Sequence, residues 1–485
     1  MFKRIGTTAL ALALLLSTLA FGSSRAFAQH TATSAPGVWL SAILVQNTTT
    51  SDATVSIDFF DSTGVLKKTY APTAALGAGK SLTIVLNQTD FTTLAAGQYS
   101  AVVSSTQKVI ASVQTSSVSQ ATGPWTAFAY EGVDSASAAQ KLFFPANYNG
   151  YYSFFSEIVI QNTSSTDSTN LTVDFYTASG TKIKTVDLGA LDKNSAKTWV
   201  MSDALLGLPT GNTNGIFGAV VTSSAATAPI AGIANIWRTA PTNMTASYNG
   251  ATAGTSSLYA PSLSNNYYGF GSALTIQNVH QTITATGVIT YSNGVTESFT
   301  LAPNAAAAFL QFKRTNITLP TGTAGSFVAK VTATAGSIIG VVSYSAPPEL
   351  NNNATVGSFA SYNCPSVASA NVNLPNVLNN YYGYFTNVSV QNTGTLTTSI
   401  TLTYDNNLTW TIANVGPNGI ANFLHLPGFT GNPLATGASV SAVAASSNSQ
   451  PLVAVIQHNT EKSLAAYSAA KLPSDFLQVF TATPK

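Results

Sequence analysis

The stretch NNYYGYFTNVSVQNTG, residues 379–394, decides the fold, because versions of it stand at four places in the chain. Its Gln-Asn pair recurs as Gln46-Asn47, Gln161-Asn162, Gln277-Asn278 and Gln391-Asn392, at intervals of 115, 116 and 114 residues. Seven residues before each Gln stands an aromatic: Trp39, Phe154, Phe270 and Tyr384. Five before stands a hydroxyl: Ser41, Ser156, Ser272 and Thr386. The third and first positions before it are aliphatic, as in Ile43 and Val45 or Val388 and Val390. These positions share one parity, which is the signature of a β-strand with one buried face. The other parity is mixed and is expected to stay outside. The Asn that ends the strand suits a turn, because its side chain can bond nearby backbone and the residue tolerates left-handed dihedrals.

Working outward, each copy alternates again after the Gln-Asn strand. Val55, Ile57 and Phe59 interleave with Ser56 and Asp58, and Leu171, Val173 and Phe175 with Thr172 and Asp174. Turn chemistry follows at Asp61-Ser62-Thr63-Gly64, Ser179-Gly180, Asn293-Gly294 and Asp405-Asn406-Asn407, as hairpins require. Two later apolar runs and a closing strand ending in Tyr130, Tyr248, Tyr362 or Tyr467 complete each copy. About seven short strands per copy, with no helical periodicity, predict an all-β chain of four tandem Ig-like β-sandwiches. The boundaries read as 29–138, 139–253, 254–370 and 371–485. The last segment, with Phe476, Leu477, Val479 and Phe480, is expected to pack on the fourth copy as a final strand or cap. Tandem copies of this kind lead to an elongated rod.

Residues 1–28 read as a secretory signal peptide. Lys3 and Arg4 precede an apolar run from Ala9, and Ala26-Phe27-Ala28 offers a small-x-small cleavage site before Gln29. The expected localisation is secreted, extracellular or at the cell surface, with no transmembrane segment in the mature chain. Only 7% of the 485 residues are charged and the formal net charge is +2. Such a chain has no basic patch for nucleic acid. Residues 29–250 hold 22 charged side chains and residues 251–485 hold 11. The C-terminal half is thus the better candidate for association with copies of itself or with a surface.

The phrase at 379–394 and its variants resemble the tandem Ig-like β-sandwich modules of bacterial secreted and cell-surface proteins. The resemblance spans nearly all of residues 29–485. It implies the fold and an exported, non-enzymatic role in structure, adhesion or self-assembly, and it carries over no catalytic residues. The first copy departs from the pattern by lacking the Tyr-Tyr pair.

Those pairs are the candidate functional residues: Tyr151 and Tyr152, Tyr267 and Tyr268, Tyr381 and Tyr382. Paired rings can stack on sugars, which makes a carbohydrate-binding array the alternative function and a cell-surface glycan the alternative partner. They can equally wedge the boundary between consecutive sandwiches, and their absence from the first copy favours that use. His30, His280, His425 and His458 fall at unrelated positions, and a single cysteine, Cys364, allows no zinc cluster. No cofactor or metal is therefore expected. The acidic pairs Asp58 with Asp61 and Asp187 with Asp192 read as turn formers rather than a glycosidase dyad. Asn-x-Ser/Thr sequons are as frequent as chance allows in a chain so rich in these residues, and carry no signal.

Overall fold

The computed structural model describes residues 10–16, 39–86, 89–117, 126–238, 244–267, 269–345, 359–460 and 477–484. It is nearly all-β, with six sheets, none of them closed. One pairing pattern recurs four times, and each recurrence is called a unit below. Unit 2 shows it fully. Its leading strand Lys141–Tyr151 pairs with Ile216–Ser223, which pairs with Thr169–Tyr176, which pairs with Lys182–Leu191. On the other side Ala196–Val200, the Gln-Asn strand Phe154–Asn162, Ile230–Arg238 and the closing strand Met244–Asn249 run in that order. Every one of these pairings is antiparallel. Eight strands form units 2 and 3, one more than the seven expected, and units 1 and 4 each add a two-residue strand, Val133–Asp134 and Thr483–Pro484. The extra strand is the five-residue one that pairs with the Gln-Asn strand, Ala196–Val200 in unit 2 and Ile420–Leu424 in unit 4.

The C-terminal segment Leu477–Thr481 pairs with Leu452–Thr460 and is the closing strand of unit 4. By register Phe480, opposite Ile456, takes the place that Tyr130, Tyr248 and Tyr362 hold in the other units. Tyr467, read from the sequence as that closing Tyr, lies outside the described residues, as does Phe476. The side chains of 477–480 are likewise outside the description.

Burial of the Gln-Asn strands differs from the one-faced expectation. Ile160, Ile276 and Val390 are fully buried as the alternation predicts, but so are the off-parity residues Leu44, Val159 and Ser389. The reason is a neighbour. Val159, Ile233 and Trp237 of unit 2 extend the core of unit 1. Val341 and Phe359 of unit 3 extend that of unit 2. Val455 of unit 4 extends that of unit 3, and Ala129 of unit 1 extends that of unit 4. The fourth unit thus returns to the first, and the expected rod is instead a ring. A head-to-tail contact generates a closed ring when its rotation divides the circle, here about a quarter turn for each unit.

The same outer contact is made four times. A turn in each unit rests on its predecessor: Ser441 Oγ donates to the Gly79 carbonyl at 2.8 Å, and Ser100 Oγ donates to that of Asn194. The Ala306 N–H donates to the Ala178 carbonyl at 3.0 Å, and Asn418 Nδ2 to that of Thr290 at 3.4 Å. Gly79, Asn194, Asn304 and Asn418 all have positive φ, between 55° and 70°. Asn and Gly are the residues that adopt this conformation at low cost.

Core volumes compensate between units. In unit 2 a Cβ on Gly250 would stand 2.6 Å from the Phe144 ring. In unit 3 the position of Phe144 is Ala260, and Cys364 replaces the glycine. The cysteine is free and buried, and burial raises its pKa well above the usual thiol range. That suits a packing residue rather than a reactive one.

Candidate functional site

The Gln-Asn motif is a structural knot. Asn392 Nδ2 donates to the carbonyls of Leu396, Val415 and Gly416 at 2.8, 3.0 and 3.1 Å, while its Oδ1 accepts the Gly394 N–H at 3.0 Å. Asn278 does the same with Ile283, Leu301, Ala302 and His280. The sequence reading of this Asn as a turn former holds in its bonding. Left-handed dihedrals are not involved, because none of the four has positive φ. The preceding Gln is buried at the junction with the neighbouring unit: Gln391 Nε2 donates to the Ala329 carbonyl of unit 3 at 3.3 Å.

The hydroxyl five residues before Gln pins the leading strand where it crosses from one sheet to the other. Ser156, Ser272 and Thr386 accept the N–H groups of Tyr148, Ser264 and Leu378, each at 2.8 Å. In unit 1 the equivalent Ser41 bonds Thr115 instead, at 2.9 Å.

A circuit of side chains joins the closing strands around the centre of the ring. Asn249 Nδ2 donates to the Glu131 carbonyl at 2.7 Å and its Oδ1 accepts the Glu131 N–H at 3.3 Å. Asn363 clamps Asn249 in the same way, at 2.7 and 2.8 Å. Thr481 Oγ1 donates to the Asn363 carbonyl at 3.1 Å. Glu131 closes the circuit by accepting the Thr481 N–H through Oε1. Burial raises the Glu131 pKa, and the bonds from Thr481 only partly offset it.

The Tyr-Tyr pairs form the turns between leading and Gln-Asn strands. The residue before each pair, Gly150, Asn266 or Asn380, has positive φ, and so do Tyr152 and Tyr382 themselves. Tyr152 is 60% exposed and Tyr382 86%, each set edge-on to its partner at ring distances of 4.8 and 4.7 Å. Tyr151 is partly buried against Tyr148, and Tyr267 is partly buried. Tyr268 lies outside the described residues. At the junction of units 4 and 1, Tyr381, Tyr382 and Leu378 face Leu40, Ala42 and Val85 across a cleft of about 180 Å³. The Tyr384 hydroxyl bonds Ser116 across the same junction.

The residues that could carry acid-base chemistry are otherwise engaged. His425 is fully buried between the Tyr404 hydroxyl, 2.7 Å from Nε2, and the Thr386 carbonyl, 3.1 Å from Nδ1. Burial lowers its pKa to about 4, so it is a neutral imidazole that donates from Nδ1 and accepts at Nε2. His458 contacts Gln114 of unit 1 at 2.8 Å and the Asn376 carbonyl at 3.3 Å. His280 Nδ1 accepts the N–H groups of Thr282 and Ile283. His30 lies outside the described residues. Asp61 caps its turn through Thr63 and Val65 and pairs with Lys67 at 2.8 Å. Asp58 accepts from Thr69, and Asp187 accepts the Gly189 N–H. Among the described residues no three of His, Cys, Asp and Glu gather as metal ligands, and no helix is long and apolar enough to cross a membrane.

The ring circuit was missed in the sequence, although Glu131, Asn249 and Asn363 each follow the closing Tyr by one residue. That shared offset was the available signal. No protein-family model matches the chain, and no curated protein does. Among solved structures the chain is similar to one described as "Crystal Structure of Thermotoga maritima 1070", with 15% identity over 23% of this chain and 93% of that one. The TM-score is 0.19, at which the likeness carries no weight.

Proposed function

We propose that the chain is an exported, non-enzymatic surface protein with a structural, adhesive or self-assembly role, built from four Ig-like β-sandwiches. The observation that carries this reading is where the repeated residues are spent. The Asn knots, the pinning hydroxyls and the Asn249 and Asn363 clamps bind backbone within units or between them. Such a molecule presents a near-neutral surface rich in Ser and Thr, which opposes association only weakly. The Ig-like description rests on the pairing of second with fifth and third with sixth strands, which the immunoglobulin order shares. It departs in the first strand, which runs mainly beside the sixth. The bacterial surface-module resemblance and the signal-peptide reading of residues 1–28 support export.

A glycan-binding role is the second reading, favoured by the exposed rings of Tyr152 and Tyr382 on turns of fixed geometry. Electron microscopy of the purified protein beside a pull-down on insoluble polysaccharides separates the two. Ordered assemblies without polysaccharide retention support the structural role. Retention by single rings, lost in Tyr152→Ala with Tyr382→Ala, supports glycan binding.

A further inference from the structure

The outer edges of the four units are not protected alike. In each unit the strand that follows the first hairpin turn lies at the end of a sheet, paired on one side: Leu66–Tyr70, Lys182–Leu191, Thr296–Leu301 and Thr409–Val415. An edge strand offers unpaired N–H and C=O groups to any other strand, and proteins blunt such edges with lysines, prolines, bulges or short length. Units 1 and 2 do so. The edge of unit 1 is five residues long, carries Lys67 and Lys68, and is bulged just after its hairpin, where Phe59 and Phe60 stand opposite Lys68 and Leu66. The edge of unit 2 carries Lys182 and Lys184 and is bulged after its hairpin and again between Asp187 and Gly189.

Unit 3 has none of these devices. Thr296–Leu301 contains no lysine or proline and pairs with Ala285–Tyr291 without a register shift. Its one charged residue, Glu297, is held by the Arg314 guanidinium. The Tyr291 N–H donates to the Val295 carbonyl at 2.9 Å. Backbone groups alternate in direction along an antiparallel strand, so Glu297, Phe299 and Leu301 bond inward to Ile289, Gly287 and Ala285. The N–H and C=O groups of Thr296, Ser298 and Thr300 therefore point away from the sheet. The side chains of these three are exposed, and among the described residues nothing bonds their backbone on that side. The edge of unit 4 is also uncharged, but a bulge before Val415 leaves only Thr409–Ile412 regular.

We infer that two copies of the chain associate through Thr296–Leu301, each pairing this strand antiparallel with the same strand of the other across a two-fold axis. The inference rests on the self-assembly role proposed above and names its contact. The strand is complementary to itself. With the axis at Ser298, Ser298 faces its counterpart in the second copy and Thr296 faces Thr300. These are the residues whose backbone groups point outward, so each facing pair exchanges two N–H to C=O bonds. Hydroxyl side chains set opposite one another stabilise such pairs. The positions between set Glu297 against Phe299, so no like charges meet and each carboxylate keeps its Arg314. Backbone bonds supply the affinity in this mode of strand addition, and the side chains supply the selectivity. The lysines and bulges of units 1 and 2 oppose the same pairing there. A two-fold contact uses one patch on both copies and closes at the dimer.

Sedimentation of the purified full chain across a range of concentrations tests this. The expected result is a monomer–dimer equilibrium for the parent and for Ser298→Thr. Ser298→Lys sets two ammonium groups face to face and should raise the dimer dissociation constant at least about 10-fold. Thr411→Lys, on the unit 4 edge, should leave it unchanged. Hydrogen exchange reads the seam itself: the Ser298 amide should exchange more slowly in the dimer than in the diluted monomer. A dimer that Ser298→Lys does not weaken, or that Thr411→Lys weakens instead, overturns the inference and leaves self-assembly standing. A parent chain that stays monomeric at every concentration overturns both.

Discussion

The two junctions at the N-terminal side of the ring and the two that involve unit 4 are built on one plan but with different chemistry. Between units 1 and 2, and between 2 and 3, a carboxamide places one donor and one acceptor on the facing backbone. At the unit 4 junctions the same positions hold Thr481 and Glu131, each of which contributes a single bond. A threonine cannot span both backbone groups, and an ionised carboxylate has nothing to donate. The difference teaches that the clamp at the centre of the ring is double at the first two junctions and single at the two that involve unit 4. The contact between the last unit and the first adds bonds elsewhere, from Ser441 to Gly79 and between His458 and Gln114, and packs Ala129 against the unit 4 core.

The comparison can be broken most directly at the clamps. Asn363→Ala should cost about 2–4 kcal/mol in chemical denaturation, because it leaves both facing backbone groups of Asn249 without partners. Thr481→Val should cost only about 1 kcal/mol, the net worth of one hydrogen bond. Equal losses would remove the distinction between the two kinds of junction.

Tyr248→Phe and Tyr362→Phe should each cost about 1–1.5 kcal/mol through the lost bond to the leading strand, whereas Tyr130→Phe should be neutral or stabilising because its hydroxyl has no partner to lose. A cost at Tyr130 equal to the other two would show that its hydroxyl has a partner after all.

The smallest effect sharpens the closing contact. Burial raises the Glu131 pKa in the folded state, so the folded chain binds its proton more tightly than the unfolded chain. The stability from that proton is fully present below the ordinary glutamate range and is lost as pH rises through the raised value. Glu131→Gln restores a donor and an acceptor without charge. Stability measured against pH should therefore fall across this window in the parent and fall less in the variant. His425 acts in the opposite sense: its folded pKa of about 4 lies below the ordinary 6.5, so its contribution is present above 6.5 and lost as pH falls toward 4. Parallel profiles for parent and Glu131→Gln would deny Glu131 this role.

Much of the strand pattern was legible because period-two alternation and Asx-Gly turns are local signals. The Gln-Asn strand, the hairpin turns and a final strand near Leu477 follow from them. Tyr467 misled because the fourth copy carries Phe480 at the closing position, after a longer connection. The short strands such as Ala196–Val200 escaped notice because five residues with one face half-covered give little periodicity. The two-sided burial of Val159 and Ser389 was hidden for a different reason. Residues packed against another unit answer to that unit, and nothing beside them in the chain shows it. The Tyr-Tyr pairs were visible as a motif, and their positive-φ turns explain the Gly or Asn before them. The placement of Tyr381 and Tyr382 beside unit 1 depends on closure of the ring.

Small-angle scattering of the monomeric chain measures that closure. Four units closed into a ring predict a radius of gyration close to the compact-chain value of about 23 Å, and Glu131 side-chain variants should leave it near that value. A value of roughly 40 Å, as given by four sandwiches each about 35 Å long laid end to end, would contradict the ring.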